Sequence, residues 1–93
     1  MIEVRFHENI EETLSDPEKH ITSDSDIYLL RIYSPQTKNN PICIMVGKNE
    51  DDNRFYIVVE DNDGSTDVYP ENGETLLSLY TRILSEIIAK YDE

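Results

Sequence analysis

Carboxylates outnumber every other chemically active side chain in this sequence, and they come in runs. Glu60 to Asp67 reads EDNDGSTD, with Glu60, Asp61, Asp63 and Asp67 around Gly64, and Glu50, Asp51 and Asp52 form a second run upstream. Oxygen-rich loops of this kind can ligate calcium. An EF-hand loop needs oxygen ligands at its first, third and fifth positions, glycine at the sixth and a bidentate glutamate at the twelfth. With Gly64 sixth, Val59 falls first and Pro70 twelfth, so the motif fails at both ends. Asp63-Gly64 instead matches the two central residues of a tight hairpin turn, where both need positive φ. A weak cation site of another kind is the lesser alternative.

Other chemistry finds less support. His7 and His20 are the two histidines, and Cys43, the single cysteine, lies in the apolar run PICIMVG, where a thiol packs as a small hydrophobe. A nucleophilic thiolate needs an electropositive, accessible setting. One cysteine and two histidines thirteen positions apart make a poor zinc site. Gly47, Gly64 and Gly73 are isolated, so no phosphate-cradling loop is present. The expectation is a protein that is not an enzyme, with no cofactor and no metal.

The elements that must carry the carboxylates are marked by pattern and punctuation. MIEVRF alternates Ile2, Val4 and Phe6 with polar residues, a half-buried strand. In NIEETLSDPEKH, Asn9 and Glu12 are spaced as a capping box, Ile10 and Leu14 share a helical face, and Pro17 ends or restarts the helix. Three apolar runs follow, Asp26 to Tyr33, Pro41 to Gly47 and Arg54 to Glu60, joined by short polar connections that favour antiparallel neighbours. STDVYP, after the Asp63-Gly64 turn, makes a further strand. From Glu74 to Tyr91, Leu76, Leu77, Tyr80, Ile83, Leu84, Ile87, Ile88 and Tyr91 recur at three- and four-residue spacing, a broad apolar stripe on an amphipathic helix. The sheet is the surface available for that stripe to cover. The expected fold is α+β: residues 1–93 as a single domain, an antiparallel four- to five-stranded sheet, a short N-terminal helix, and a long C-terminal helix packed on one face.

Twenty acidic residues against eight basic ones give a formal charge of -12 over 93 residues. Direct nucleic-acid binding and an anionic membrane surface both require clustered Lys and Arg, which are dispersed here. A basic partner protein is favoured instead, since opposite potential speeds encounter. Solubility alone is the plainer account of the charge. The lone cysteine suits a reducing compartment, and the N-terminal residues interleave charge with apolar side chains as neither a signal peptide nor a membrane span does. The expected location is the cytoplasm.

The segment from Ser23 to Asn40 and on through Arg54 to Gly64 resembles the strand core of the phage uracil-DNA glycosylase inhibitor family, small acidic proteins that mimic DNA. The matching features are Ser25-Asp26-Ile27, Tyr33, Thr37 and Asn40, then an aromatic-led strand through Val58 that ends in Asp61 and Gly64. HENI, His7 to Ile10, is similar to that family's strand end, where a glutamate meets the enzyme's DNA-binding face. The resemblance implies Glu8 as a phosphate mimic and Asp16 and Glu18 as further acidic contacts. It also implies an apolar pocket from Leu29, Ile42, Ile44 and Val58 that grips a protruding side chain of the target. It covers under half of the chain; the family's N-terminal helix is missing and the C-terminal helix is additional.

Spacing leads to a similar class. Carboxylates on one face of a strand recur at twice the ~3.3 Å rise, and at i, i+3 and i+4 on a helix they lie ~5–6 Å apart, so ordered acids can present regular negative charge to a cationic groove. The leading expectation is a stoichiometric inhibitor or immunity-type protein that occludes the basic surface of a nucleic-acid enzyme or toxin. Its contacts would be Glu8, Glu11, Glu12, Asp16, Glu50, Asp51, Asp52, Glu60, Asp61, Asp63 and Asp67. The alternative is a homodimeric regulatory or scaffold module, for which Tyr28, Tyr33, Tyr56, Tyr69, Tyr80 and Tyr91 supply interface-forming side chains.

Overall fold

A computed structural model describes residues 3–6, 9–21, 27–35 and 40–91. In chain order the elements are β1 (Glu3–Phe6), α1 (Ile10–Ser15), α2 (Pro17–His20), β2 (Ile27–Tyr33), β3 (Ile42–Asn49), β4 (Arg54–Asp61), β5 (Gly64–Val68) and α3 (Leu76–Tyr91). The five strands form one sheet in the order β1-β2-β3-β4-β5, each antiparallel to the next. Short polar connections between successive apolar runs leave this meander as the economical topology. The α+β expectation is met, with five strands.

Register divides the side chains between two faces. Ile32 opposes Ile42, Leu30 opposes Ile44, Ile44 opposes Val59, and Val46 opposes Ile57. These residues join Ile10, Leu14, Leu76, Leu79, Tyr80 and Ile83 in one cluster, so α1 and α3 cover this face. The α3 stripe follows from Leu76, Leu79, Tyr80 and Ile83 at i, i+3, i+4 and i+7. A bulge between Tyr28 and Leu30 inserts Leu29, which is fully buried in the same cluster.

Two local expectations are corrected. Asn9 precedes α1 with φ of 65° and its side chain makes no cap hydrogen bond, so there is no capping box. An N-cap side chain reaches the first-turn N–H groups from an extended backbone, which Asn9 does not have. The second correction concerns the hairpin. Asp61 pairs with Gly64, so Asn62 and Asp63 are the turn residues. Neither has positive φ, whereas Gly64 has φ of 126°. An ordinary turn followed by a glycine that takes the positive φ replaces the two-residue Asp63-Gly64 turn.

The C-terminal helix begins at Leu76, two residues after the expected start. Thr75 caps it: its Oγ1 accepts the Ser78 N–H at 3.1 Å. Pro17 opens α2 after α1 has ended at Ser15, which fits its fixed φ and missing N–H. No helix among the described residues is long and apolar enough to cross a membrane.

Candidate functional site

The two acidic runs lie at opposite ends of the sheet. β4 leaves the Glu50–Asn53 connection and delivers the chain to the Asn62-Asp63 turn, and its eight residues separate the two by about 23 Å at a rise of about 3.3 Å each. Each turn is braced by its own polar side chains. Asn49 Oδ1 accepts the Asp51 N–H at 2.9 Å, and Asp52 Oδ1 accepts the Arg54 N–H at 3.0 Å. Asn53 completes the first connection with φ of 59°, a conformation asparagine tolerates. At the other end Asp61 Oδ1 accepts the Asp63 N–H at 2.8 Å. Asp52 and Asp61 therefore build turns as well as carrying charge.

The remaining candidate acids sort into neighbourhoods. Glu50 and Asp51 line a shallow hollow of about 320 Å³ with Asp67, floored by Tyr56 and Tyr69, whose ring centroids are 5.3 Å apart. Glu60 and Asp61 border another hollow with Arg31 and Cys43, and the Glu60 carboxylate accepts the Ser65 hydroxyl at 3.4 Å. Glu11 and Glu12 rim a groove of about 560 Å³ whose apolar wall is Phe6, Ile10, Tyr80 and Leu84. Glu18 sits near Asn53 and Arg54, which brings α2 toward the first acidic turn. Asp16, between the two short helices, is exposed. Glu8, His7, Ser25, Asp26 and Thr37 lie outside the described residues.

Anions and cations are treated differently by the fold. Arg5 pairs with Glu3 at 3.0 Å and Arg82 with Glu74 at 3.0 Å. Arg31 lies over the Tyr28 ring and Arg54 over the Tyr69 ring, at 4.7 and 4.5 Å from the centroids. Every arginine is thus occupied within the chain. By contrast, the carboxylates of Glu11, Asp16, Glu18, Glu50, Asp51, Asp63 and Asp67 make no ion pair and no side-chain hydrogen bond among the described residues. Glu12 has a long contact with His20, 3.8 Å from Nε2.

Of the four residues expected at an apolar pocket, Leu29 borders a hollow of about 270 Å³ together with Arg5, Phe6, Tyr28 and Tyr33. Leu29, Ile42 and Ile44 are packed into the core, at 1%, 2% and 0% exposure. Val58 opposes Met45 and Asp67 and so belongs to the other face of the sheet, because side chains alternate along β4. The larger apolar groove at Phe6, Ile10, Tyr80 and Leu84 was missed. Phe6 at the end of β1, Ile10 at the start of α1, and Tyr80 with Leu84 one turn apart are its sequence signals, but only tertiary packing brings them together. Cys43 is buried, its Sγ 3.8 Å from the Pro41 carbonyl. Among the described residues no three His, Cys, Asp or Glu side chains are grouped to hold a metal ion. No protein-family model, curated protein or solved structure matches the chain.

Proposed function

We propose that this protein is a small acidic binding protein that inhibits a nucleic-acid enzyme or toxin by occluding its basic surface, without chemistry of its own. The observation that carries this reading is the asymmetry of pairing. All four arginines are spent on internal carboxylates or rings, while seven candidate carboxylates face solvent unpaired among the described residues. A field of one sign, left uncompensated by the chain itself, steers a cationic partner and speeds encounter.

The placement of the acids adds a dimension to the partner. Two acidic ends about 23 Å apart span roughly seven nucleotide steps at about 3.4 Å per phosphate along one strand. A groove built to hold a polyanion of that length would meet both ends at once. The resemblance to the glycosylase-inhibitor strand core supports the same class of target.

The test is capture of partners on the tagged protein, washed at low and then high salt, followed by titration of the captured enzyme's activity. A basic nuclease, glycosylase or toxin that elutes with salt and is inhibited at one-to-one stoichiometry supports the reading. An acidic partner that survives high salt, or a basic one whose activity is unchanged, overturns it.

A further inference from the structure

We infer that the helix-free face of the sheet is an interface between two copies of this chain, related by a two-fold axis that runs along β3. This rests on geometry distinct from the acidic ends and does not depend on the inhibitor reading.

The central row of that face reads, strand by strand, Arg5, Arg31, Cys43, Glu60, Ser65, each residue directly opposite the next. Arg31 and Glu60 thus flank Cys43 symmetrically, one strand to either side. Neither makes an ion pair among the described residues: Arg31 stacks on Tyr28, and Glu60 touches the Ser65 hydroxyl. The small Cys43 side chain between two long ones leaves a hollow of about 460 Å³ bordered by both. The adjacent row is Tyr28, Met45, Val58, Asp67, apolar at its centre.

Two copies can pack face to face about either of two axes in the plane of the sheet. An axis across the strands lays β2 on β2 and sets Arg31 against Arg31 of the second copy, which like charge opposes. An axis along β3 lays β2 on β4. Arg31 then meets Glu60 of the second copy twice, and the exposed Tyr28 lies over the Met45–Val58 row, whose side chains are already buried in the single chain. Each hollow at Cys43 receives charged ends from the other copy. Aligned sheets pack this way with strand directions within about 30° of each other, so the central rows stay in register.

The area is near what a specific interface needs. The strands, four to eight residues long at about 3.3 Å per residue and about 4.8 Å apart, present about 500 Å² per copy, so two copies bury roughly 1,000 Å² before side-chain relief is counted, about the minimum for a specific interface. The composition also fits: Tyr, Arg and Met are the side chains enriched at interface cores. Both acidic turns lie at the ends of the strands and stay outside the contact.

Sedimentation over a dilution series at physiological ionic strength tests the geometry by charge exchange. The wild type should show a monomer–dimer equilibrium. Arg31→Glu and Glu60→Arg should each weaken the dimer about tenfold or more, and the double variant should return to near the wild-type Kd, because the pair is restored with its signs swapped. Ser85→Arg, on the exposed side of α3, should leave Kd unchanged. Arg31 and Glu60 are both exposed, and circular dichroism confirms that the variants fold. A monomer at every concentration overturns the inference. So does a dimer indifferent to the single reversals, or a double variant as weak as the singles combined.

Discussion

Arg82 reaches back eight residues to clasp Glu74, with Nε 3.0 Å from one carboxylate oxygen and Nη2 3.1 Å from the other. Glu74 Oε1 also accepts the Glu71 N–H at 3.1 Å, so one carboxylate ties the approach to α3 onto the helix itself. The Arg82 hydrogen bonds, and then the Glu71 N–H, hold the Glu74 carboxyl below its usual pKa. A depressed carboxylate contributes stability that is present above its unfolded pKa of about 4.3 and is lost as pH falls through the lower folded value. Glu74→Gln should therefore lower stability at neutral pH and lose less on acidification than the wild type. Urea unfolding at neutral pH and below about pH 4 checks this; parallel curves for the two proteins would show that the clasp is not coupled to folding.

Tyr80 sets the opposite limit. It is 7% exposed within the core between α3 and the sheet, and burial pushes its phenol up to about 12. A raised folded pKa gives stability that is complete below the unfolded value of about 10 and is lost as pH rises toward the folded one. Tyr80→Phe keeps the ring and removes the titration. Unfolding free energies from about pH 9 to about pH 12 should fall less steeply for the variant, and an equal fall would place the phenol in contact with water.

These two residues also show what the sequence made legible. Tyr80 was readable, because the three- and four-residue spacing of the α3 stripe names the buried side of a helix whatever it packs against. Glu74 was not: a helix-preceding glutamate carries no periodic signal, and its partner eight residues away is set by the path of the chain through Pro70 to Gly73. The strands were legible as apolar runs, and the meander as short connections. The shared face of Arg31, Cys43 and Glu60 was not, because the extra residue at Leu29 shifts the register of β2. The hairpin turn was misplaced by one residue for a similar reason. Asp-Gly carries a strong local signal, yet register with β4 sets Asn62 and Asp63 at the bend and leaves Gly64 to take the unusual φ.

That φ makes Gly64 a backbone test free of packing effects. A Cβ built there meets no atom within 4 Å, while φ is 126°. Gly64→Ala should cost about 1–3 kcal/mol through strain alone. Asn53 has φ of 59°, where glycine is at ease, so Asn53→Gly should be close to neutral or slightly stabilising. Denaturant midpoints for the two variants measure the contrast; a neutral Gly64→Ala would mean that the hairpin re-registers to a different turn.

The unpaired acids at the two ends of the sheet should carry a stability cost of their own. Glu50, Asp51 and Asp63 have no cationic partner among the described residues, and a net charge of -12 adds self-repulsion to their local crowding. Neutralising all three, as Glu50→Gln, Asp51→Asn and Asp63→Asn, should raise the denaturation midpoint at low salt. The gap should close as salt shortens the Debye length from about 30 Å at 0.01 M to about 3 Å at 1 M. A gap that appears and closes shows carboxylates kept at the expense of folding, as a partner-binding surface requires. No gap at low salt would mean that the charges are already solvated without cost, and the acidic ends would then be a solubility device with no claim on a partner.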